Sequence, residues 1–163
     1  MLCISKNFEK IKRLRNSLYL FLTVRVYFPF CMWCYSGKGK AISLEEMHKS
    51  PPGSLSFCTA IFLQKTGLRP IHGYEEHDMK HTLLGYEASL KDEVCMQYFE
   101  FANGNRSIPV MIVILFGTLI MPEEISAYLQ AWKRGRKAVS ISAIHLKDFA
   151  REPLYQLRSQ WKL

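Results

Sequence analysis

From Val110 to Met121 the chain carries an uninterrupted run of apolar and small side chains, the core of the segment IPVMIVILFGTLIM at residues 108–121. A helix needs about 20 such residues to cross a bilayer, so this run is too short to span one. It is also too apolar to sit comfortably in water, and the simplest outlet is a buried helix with other elements packed round it. No segment shows the alternation of apolar and polar residues, bounded by hairpin turns, that marks a half-buried strand. The expected fold is therefore all-α: one domain of roughly six to eight helices arranged about the central apolar helix. The length of 163 residues agrees with a single domain.

Helix boundaries can be read from local chemistry. Ser43-Leu44-Glu45-Glu46 has the spacing of a capping box, and Pro51-Pro52-Gly53 stops the helix it starts. Ser54 can cap a second helix through Lys65, with Gly67 as a left-handed terminator. A third is expected from about Gly73 to Leu84, ended by Gly85, and a fourth from Ser89 to about Ala102, closed by Asn103-Gly104. Pro122 suits a first helical position, with Glu123 and Glu124 in the first turn and Lys133, Arg134, Arg136 and Lys137 in the last turns. A final stretch from Ile144 to Trp161 should be kinked or split at Pro153.

Charge divides the chain into three. There are 22 Lys and Arg against 14 Asp and Glu, a net +8. Both ends, residues 1–40 and 131–163, are basic, and the middle, 41–130, is acidic. A nucleic-acid domain concentrates its cations on the folded reading surface, and no groove-reading motif is present, so no nucleic-acid partner is expected. The basic N-terminal end is also apolar. Residues 5–16 place Phe8, Ile11 and Leu14 on one helical face among lysines and arginines, and residues 17–35 are almost wholly apolar. Arg25 at the centre of that second stretch and Pro29 argue against a simple membrane span. Two readings fit: a helix lying on or dipping into a membrane, and a first core helix. Residues 1–42 are accordingly assigned to an N-terminal helix and linker, and 43–163 to the helical domain. The five cysteines (Cys3, Cys31, Cys34, Cys58, Cys95) follow no disulfide framework, and reduced thiols in apolar surroundings are expected.

One group of residues carries chemistry. His77 and His81 are four apart, so on a helix they share a face, and Asp78 falls with them inside an arc of about 100°. The turn at residues 85–91 lets the next helix fold back antiparallel, which brings Glu93 opposite the histidines. Two imidazoles and one or two carboxylates suit a divalent metal, zinc first, with iron, manganese or magnesium as alternatives. Glu93, Gln97 and Glu100 form a polar line that can support the ligands.

The pattern His77-Asp78-x-x-His81, eleven residues, Glu93 resembles the signature of the coenzyme Q (ubiquinone) biosynthesis protein 4 family. The surrounding residues agree: Pro52-Gly53-Ser54-Leu55, His81-Thr82-Leu83-Leu84-Gly85-Tyr86, Asp92-Glu93, Gln97-Tyr98-Phe99-Glu100, Tyr128-x-x-Ala131-Trp132-x-x-Gly135 and Leu157-Arg158. The resemblance covers about residues 43–160. Two stretches depart from it: Gly73-Tyr74-Glu75-Glu76 replaces a basic, tyrosine-rich run, and residues 103–107 (NGNRS) are unlike the family, which suggests a divergent bacterial branch.

The resemblance implies an all-helical protein, peripheral to the membrane on its cytoplasmic side, that acts in ubiquinone biosynthesis. Its metal ligands would be His77, Asp78, His81 and Glu93. The activity it implies is work on a polyprenylated quinone precursor, extending to oxidative decarboxylation at ring carbon 1. The alternative is a non-catalytic isoprenoid-lipid scaffold with a structural metal. Expected partners are the prenylated lipid, the membrane surface, other quinone-biosynthesis proteins and a second copy of the chain as a homodimer. The apolar helices at 54–64 and 110–121 are the expected walls of a lipid groove.

Overall fold

The Ser43 hydroxyl accepts a hydrogen bond from the Glu46 amide at 3.1 Å, and the Glu46 carboxylate answers by accepting from the Ser43 amide at 2.9 Å. That reciprocal cap starts helix α1 (Leu44–His48) in a computed structural model that describes residues 42–163 together with Leu14, Arg15 and Ser17. Six further α-helices follow: α2 (Leu55–Thr66), α3 (Glu75–Leu84), α4 (Leu90–Ala102), α5 (Ile108–Ile120), α6 (Ile125–Lys137) and α7 (Leu154–Gln160). Among the described residues there is no strand, only an isolated bridge between Ser54 and Pro153. The all-α expectation holds. The expected helices at 5–16 and 17–35 and the linker after them lie outside the described residues, apart from Leu14, Arg15 and Ser17, which are helical, and Ile42, which is not.

Local punctuation acts where the sequence puts it. Ser54 and Ser89 cap α2 and α4 through their hydroxyls, and Gly67 and Gly85 end α2 and α3 in the left-handed conformation. Two expected boundaries move. Helix α3 begins at Glu75 rather than near Gly73, and Pro122–Glu124 forms a 3-10 turn ahead of α6 instead of its first turn. The final stretch splits as expected, into a 3-10 turn at Leu146–Phe149 and α7, with Pro153 between them.

The centre of the fold is α4. One of its faces places Met96 and Phe99 in a core with Leu55, Met79, Leu83, Leu84, Leu157 and Trp161. The other places Val94 and Cys95 in a second core with Val113, Met121, Tyr128 and Ala131. Helix α6 lies closest to it: a Cβ at Gly135 would collide with the Phe99 carbonyl oxygen, so only glycine permits that approach. Asn103 fastens the ends of the two helices. Its amide nitrogen donates to the carbonyls of Gly135 at 3.0 Å and Val139 at 3.1 Å, and its side-chain oxygen accepts from the Ile141 amide at 2.8 Å.

The apolar run does form a helix, α5, but it is not central and it is not buried. Only Val110, Val113 and Gly117 of its residues are withdrawn from solvent. Ile108, Met111, Leu115, Phe116 and Leu119 are exposed, Leu119 at 69%. The cause is its neighbours. Helix α5 packs chiefly on α4, where Gly117 fits against the Val94 methyls, and its outer face meets no other described element of comparable size. Among the described residues no single helix is long and apolar enough to cross a membrane; α5 and the following segment through Lys137 reach that length only as a pair bent by 105°.

Candidate metal centre

Helices α3 and α4 meet at the site, and both are held from behind. Arg158 of α7 donates from Nε to the Leu83 carbonyl at 2.9 Å and from Nη2 to the Thr82 carbonyl at 2.8 Å, satisfying two carbonyls in the last turn of α3. At the other end of α3, Glu75 is almost fully buried. Its carboxylate accepts from the Gly73 amide at 2.9 Å and lies 3.1 Å from Lys147 Nζ and 3.7 Å from His72 Nδ1. Burial alone would raise its pKa, but hydrogen bonds and Lys147 outweigh that and leave it below its ordinary value.

Between these anchors His77, His81 and Glu93 converge. His81 Nε2 lies 3.3 Å from His77 Nε2 and 3.1 Å from a Glu93 carboxylate oxygen, and that same oxygen lies 3.4 Å from His77 Nε2. In a tetrahedral centre with bonds of about 2.0–2.1 Å, ligand atoms stand about 3.3 Å apart. The three atoms therefore already have the spacing of one face of such a centre, and this donor set fits a divalent metal.

The supporting contacts fit as well. His81 Nδ1 faces the Tyr86 carbonyl at 3.3 Å; donating there leaves the Nε2 lone pair directed at the cluster. Gln97 donates to the second Glu93 oxygen at 3.0 Å. The Phe62 ring stacks on His81 with centroids 5.5 Å apart, and Tyr74 packs edge-on against His77. Burial works against ionised Glu93, yet the two imidazoles hold its carboxyl well below the ordinary value. Burial likewise opposes charge on His77, but Glu93 overrides it and raises that pKa.

Of the polar line on α4, Gln97 supports Glu93 as expected, whereas Glu100 turns away from the ligands to Lys80 at 2.9 Å and Asn105 at 2.6 Å. Asp78, the remaining member of the sequence motif, is not part of the converging trio. It lines the same cleft, and burial pushes its carboxyl up to about 6 against the pull of His77 and His81. Several participants carry no sequence signal: Phe62, Arg69 and Ile71 come from α2 and the loop after it, and Lys147 from more than sixty residues downstream; Arg158, part of the Leu157-Arg158 pair that matched the family pattern, gains its role at α3 only from the fold.

Two cavities open on the cluster. One, of about 260 Å³, is lined mainly by apolar residues, including Phe62, Leu68, Ile71, Tyr74 and Leu90, together with Arg69, Asp78, His77, His81 and Glu93. The other, of about 450 Å³, is more polar and includes Lys80, Gln97, Glu100 and Asn105, sharing Tyr74 and His77 with the first. The expected groove walls are therefore only partly used. Phe62 of α2 lines the apolar cleft, while α5 reaches only the polar one, through Pro109 and Val110.

No curated protein matches this chain. A crystal structure at 2.85 Å resolution of a proposed ubiquinone biosynthesis protein from Nostoc punctiforme superposes with a TM-score of 0.61 at 14% identity, covering 93% of this chain and 80% of that one, and it shows a shared fold. The family model described as coenzyme Q (ubiquinone) biosynthesis protein Coq4 matches residues 71–163, more than half of the chain and the part that holds His77, His81 and Glu93. The chain belongs to the coenzyme Q (ubiquinone) biosynthesis protein Coq4 family.

Proposed function

We propose that the protein, whose family places it in ubiquinone biosynthesis, binds a divalent metal through His77, His81 and Glu93 and acts on a prenylated quinone precursor held in the adjoining apolar cleft. The observation that carries the reading is the 3.1–3.4 Å triangle of His77, His81 and Glu93 atoms, opening on a cleft with apolar walls. Asp78 stands beside the trio in the same cleft. Zinc is the first candidate from the ligand set, with iron, manganese and magnesium as the others.

The reaction proposed is oxidative decarboxylation at ring carbon 1. The bond from ring to carboxyl breaks and CO₂ leaves; dioxygen accepts two electrons and departs as hydrogen peroxide; water supplies the new hydroxyl oxygen. The metal, when bound, supplies Lewis acidity toward a ring or carboxyl oxygen. The chain's own part is positional. Phe62 and Tyr74 wall the ring site beside His81 and His77, Gln97 fixes the Glu93 carboxylate, and the polar cavity beside Lys80 and Gln97 gives water a path to the cluster.

A peripheral location on the cytoplasmic face of a bacterial membrane fits this task. A prenyl chain gains about 0.8 kcal/mol per buried CH₂ and stays in the bilayer unless met there. The exposed apolar face of α5 is a surface suited to that meeting, and Ile125 and Leu129 of α6 are exposed apolar residues as well.

A second reading has its own support. The cluster joins α3 to α4, so a metal there can serve as a tie between helices in a non-catalytic lipid-binding scaffold. Quinone analysis of a ubiquinone-making strain that lacks its own family member and carries this chain separates the two. With Glu93→Gln folded and expressed, the catalytic reading expects a prenylated ring acid to accumulate and ubiquinone to disappear. Normal ubiquinone in that strain overturns it in favour of the scaffold.

A further inference from the structure

The loop between α2 and α3 runs Leu68-Arg69-Pro70-Ile71. Its three non-proline side chains line the apolar cleft, and all three are exposed at the cleft's outer side. Proline at 70 confines Arg69 to extended backbone, which narrows the directions its side chain can take. Two carboxylates, Asp78 and Glu93, line the same cleft, yet Arg69 forms an ion pair with neither, nor with any other described residue. Glu93 is already held by His77, His81 and Gln97. The cleft thus presents an uncommitted guanidinium at its rim, aromatic and aliphatic walls, and a metal-ligand cluster within.

That arrangement specifies a class of ligand. The walls fit an aromatic ring and the first part of an apolar chain, since about 260 Å³ leaves no room for a long tail. Such a tail must leave past Leu68 and Ile71, which are exposed apolar residues beside the opening. A guanidinium binds a carboxylate through paired N–H donors, a geometry that an ester or a neutral ring cannot match.

We infer that Arg69 is the specificity-determining residue of the cleft, holding the carboxylate of a prenylated aromatic acid while the ring lies between Phe62 and Tyr74. This rests on the proposed quinone-precursor reading and names the group that selects the precursor. Arg69 selects and holds the carboxyl group that the proposed reaction removes, and the cluster acts on the ring beside it.

The test is calorimetric binding of 3-geranyl-4-hydroxybenzoic acid and of its methyl ester to the full chain, with and without added zinc, for wild type, Arg69→Gln and Arg69→Lys. Wild type should bind the acid about tenfold or more tightly than the ester, as expected for a charge-assisted pair. Arg69→Gln should bind the two equally, with ester affinity unchanged, and Arg69→Lys should keep part of the preference. Equal binding of acid and ester by wild type, or an intact preference in Arg69→Gln, overturns the role of Arg69 and leaves the cleft reading standing. If neither probe binds wild type, the quinone-precursor reading falls with it. A third arm uses phosphatidylglycerol vesicles: should Arg69→Gln lose vesicle binding yet keep its acid preference, the residue serves the membrane surface and the inference is wrong.

Discussion

Helices α4 and α5 are both 13 residues long, and they reverse what their compositions suggest. Helix α5 has no charged residue and is the more apolar, yet it buries only Val110, Val113 and Gly117. Helix α4 carries Lys91, Asp92, Glu93 and Glu100, yet it buries Val94, Cys95, Met96, Gln97, Phe99 and Glu100. The difference lies in neighbours. Helix α4 has cores on two faces, and its polar groups are taken up by His77, His81 and Lys80. Among the described residues helix α5 packs chiefly on α4, and Ile108, Met111, Leu115, Phe116 and Leu119 are left exposed. Apolar composition measures what a helix gains by leaving water; topology decides whether water or another element meets it. The apolar face of α5 that the described elements leave exposed is the surface proposed above to meet the membrane.

Substitutions can break or sharpen this contrast. The largest effect is expected at the centre of α4: Phe99→Ala should lower unfolding free energy by about 3–5 kcal/mol in a denaturant titration. Gly135→Ala follows at about 3 kcal/mol, because the obstacle is the Phe99 backbone, which cannot rotate away. Gly117→Ala should cost about 1–2 kcal/mol, since its obstacle is the Val94 side chain. A Val94→Ala background should shrink that increment, and an unchanged increment would mean the two helices do not meet there. The smallest effect on stability belongs to the outer face of α5. Leu119→Gln should stay within about 0.5 kcal/mol of wild type, while vesicle flotation shows weaker membrane binding. If Leu119→Gln destabilises as much as Phe99→Ala, the face is covered in solution and the contrast fails.

What the sequence disclosed follows the range over which each force acts. Ser43, Ser54, Ser89, Gly67 and Gly85 mark helix ends because capping and left-handed termination are settled within a few residues. His77 and His81 could be paired because four residues return nearly to the same helical face, and Glu93 followed from a short turn. Asp78 shows where that reasoning runs out. An arc of about 100° counts residues on one side of a helix, whereas ligands must converge on a point, and neighbouring residues fan apart. The exposure of α5 was not legible, because a run of apolar residues looks the same whether or not another helix covers it. Nor was the burial of Glu75, whose partner Lys147 lies 72 positions along the chain and is brought near only by the complete fold.

The central claim is that His77, His81 and Glu93 hold a divalent metal. Metal stoichiometry tests it most directly, measured by plasma mass spectrometry on protein purified without chelators and after separate exposure to zinc, iron(II) and manganese(II). The account predicts about one metal per chain in wild type and well under a tenth of that in Glu93→Gln that remains helical by circular dichroism. Folded wild-type protein that retains none of the three metals would contradict it.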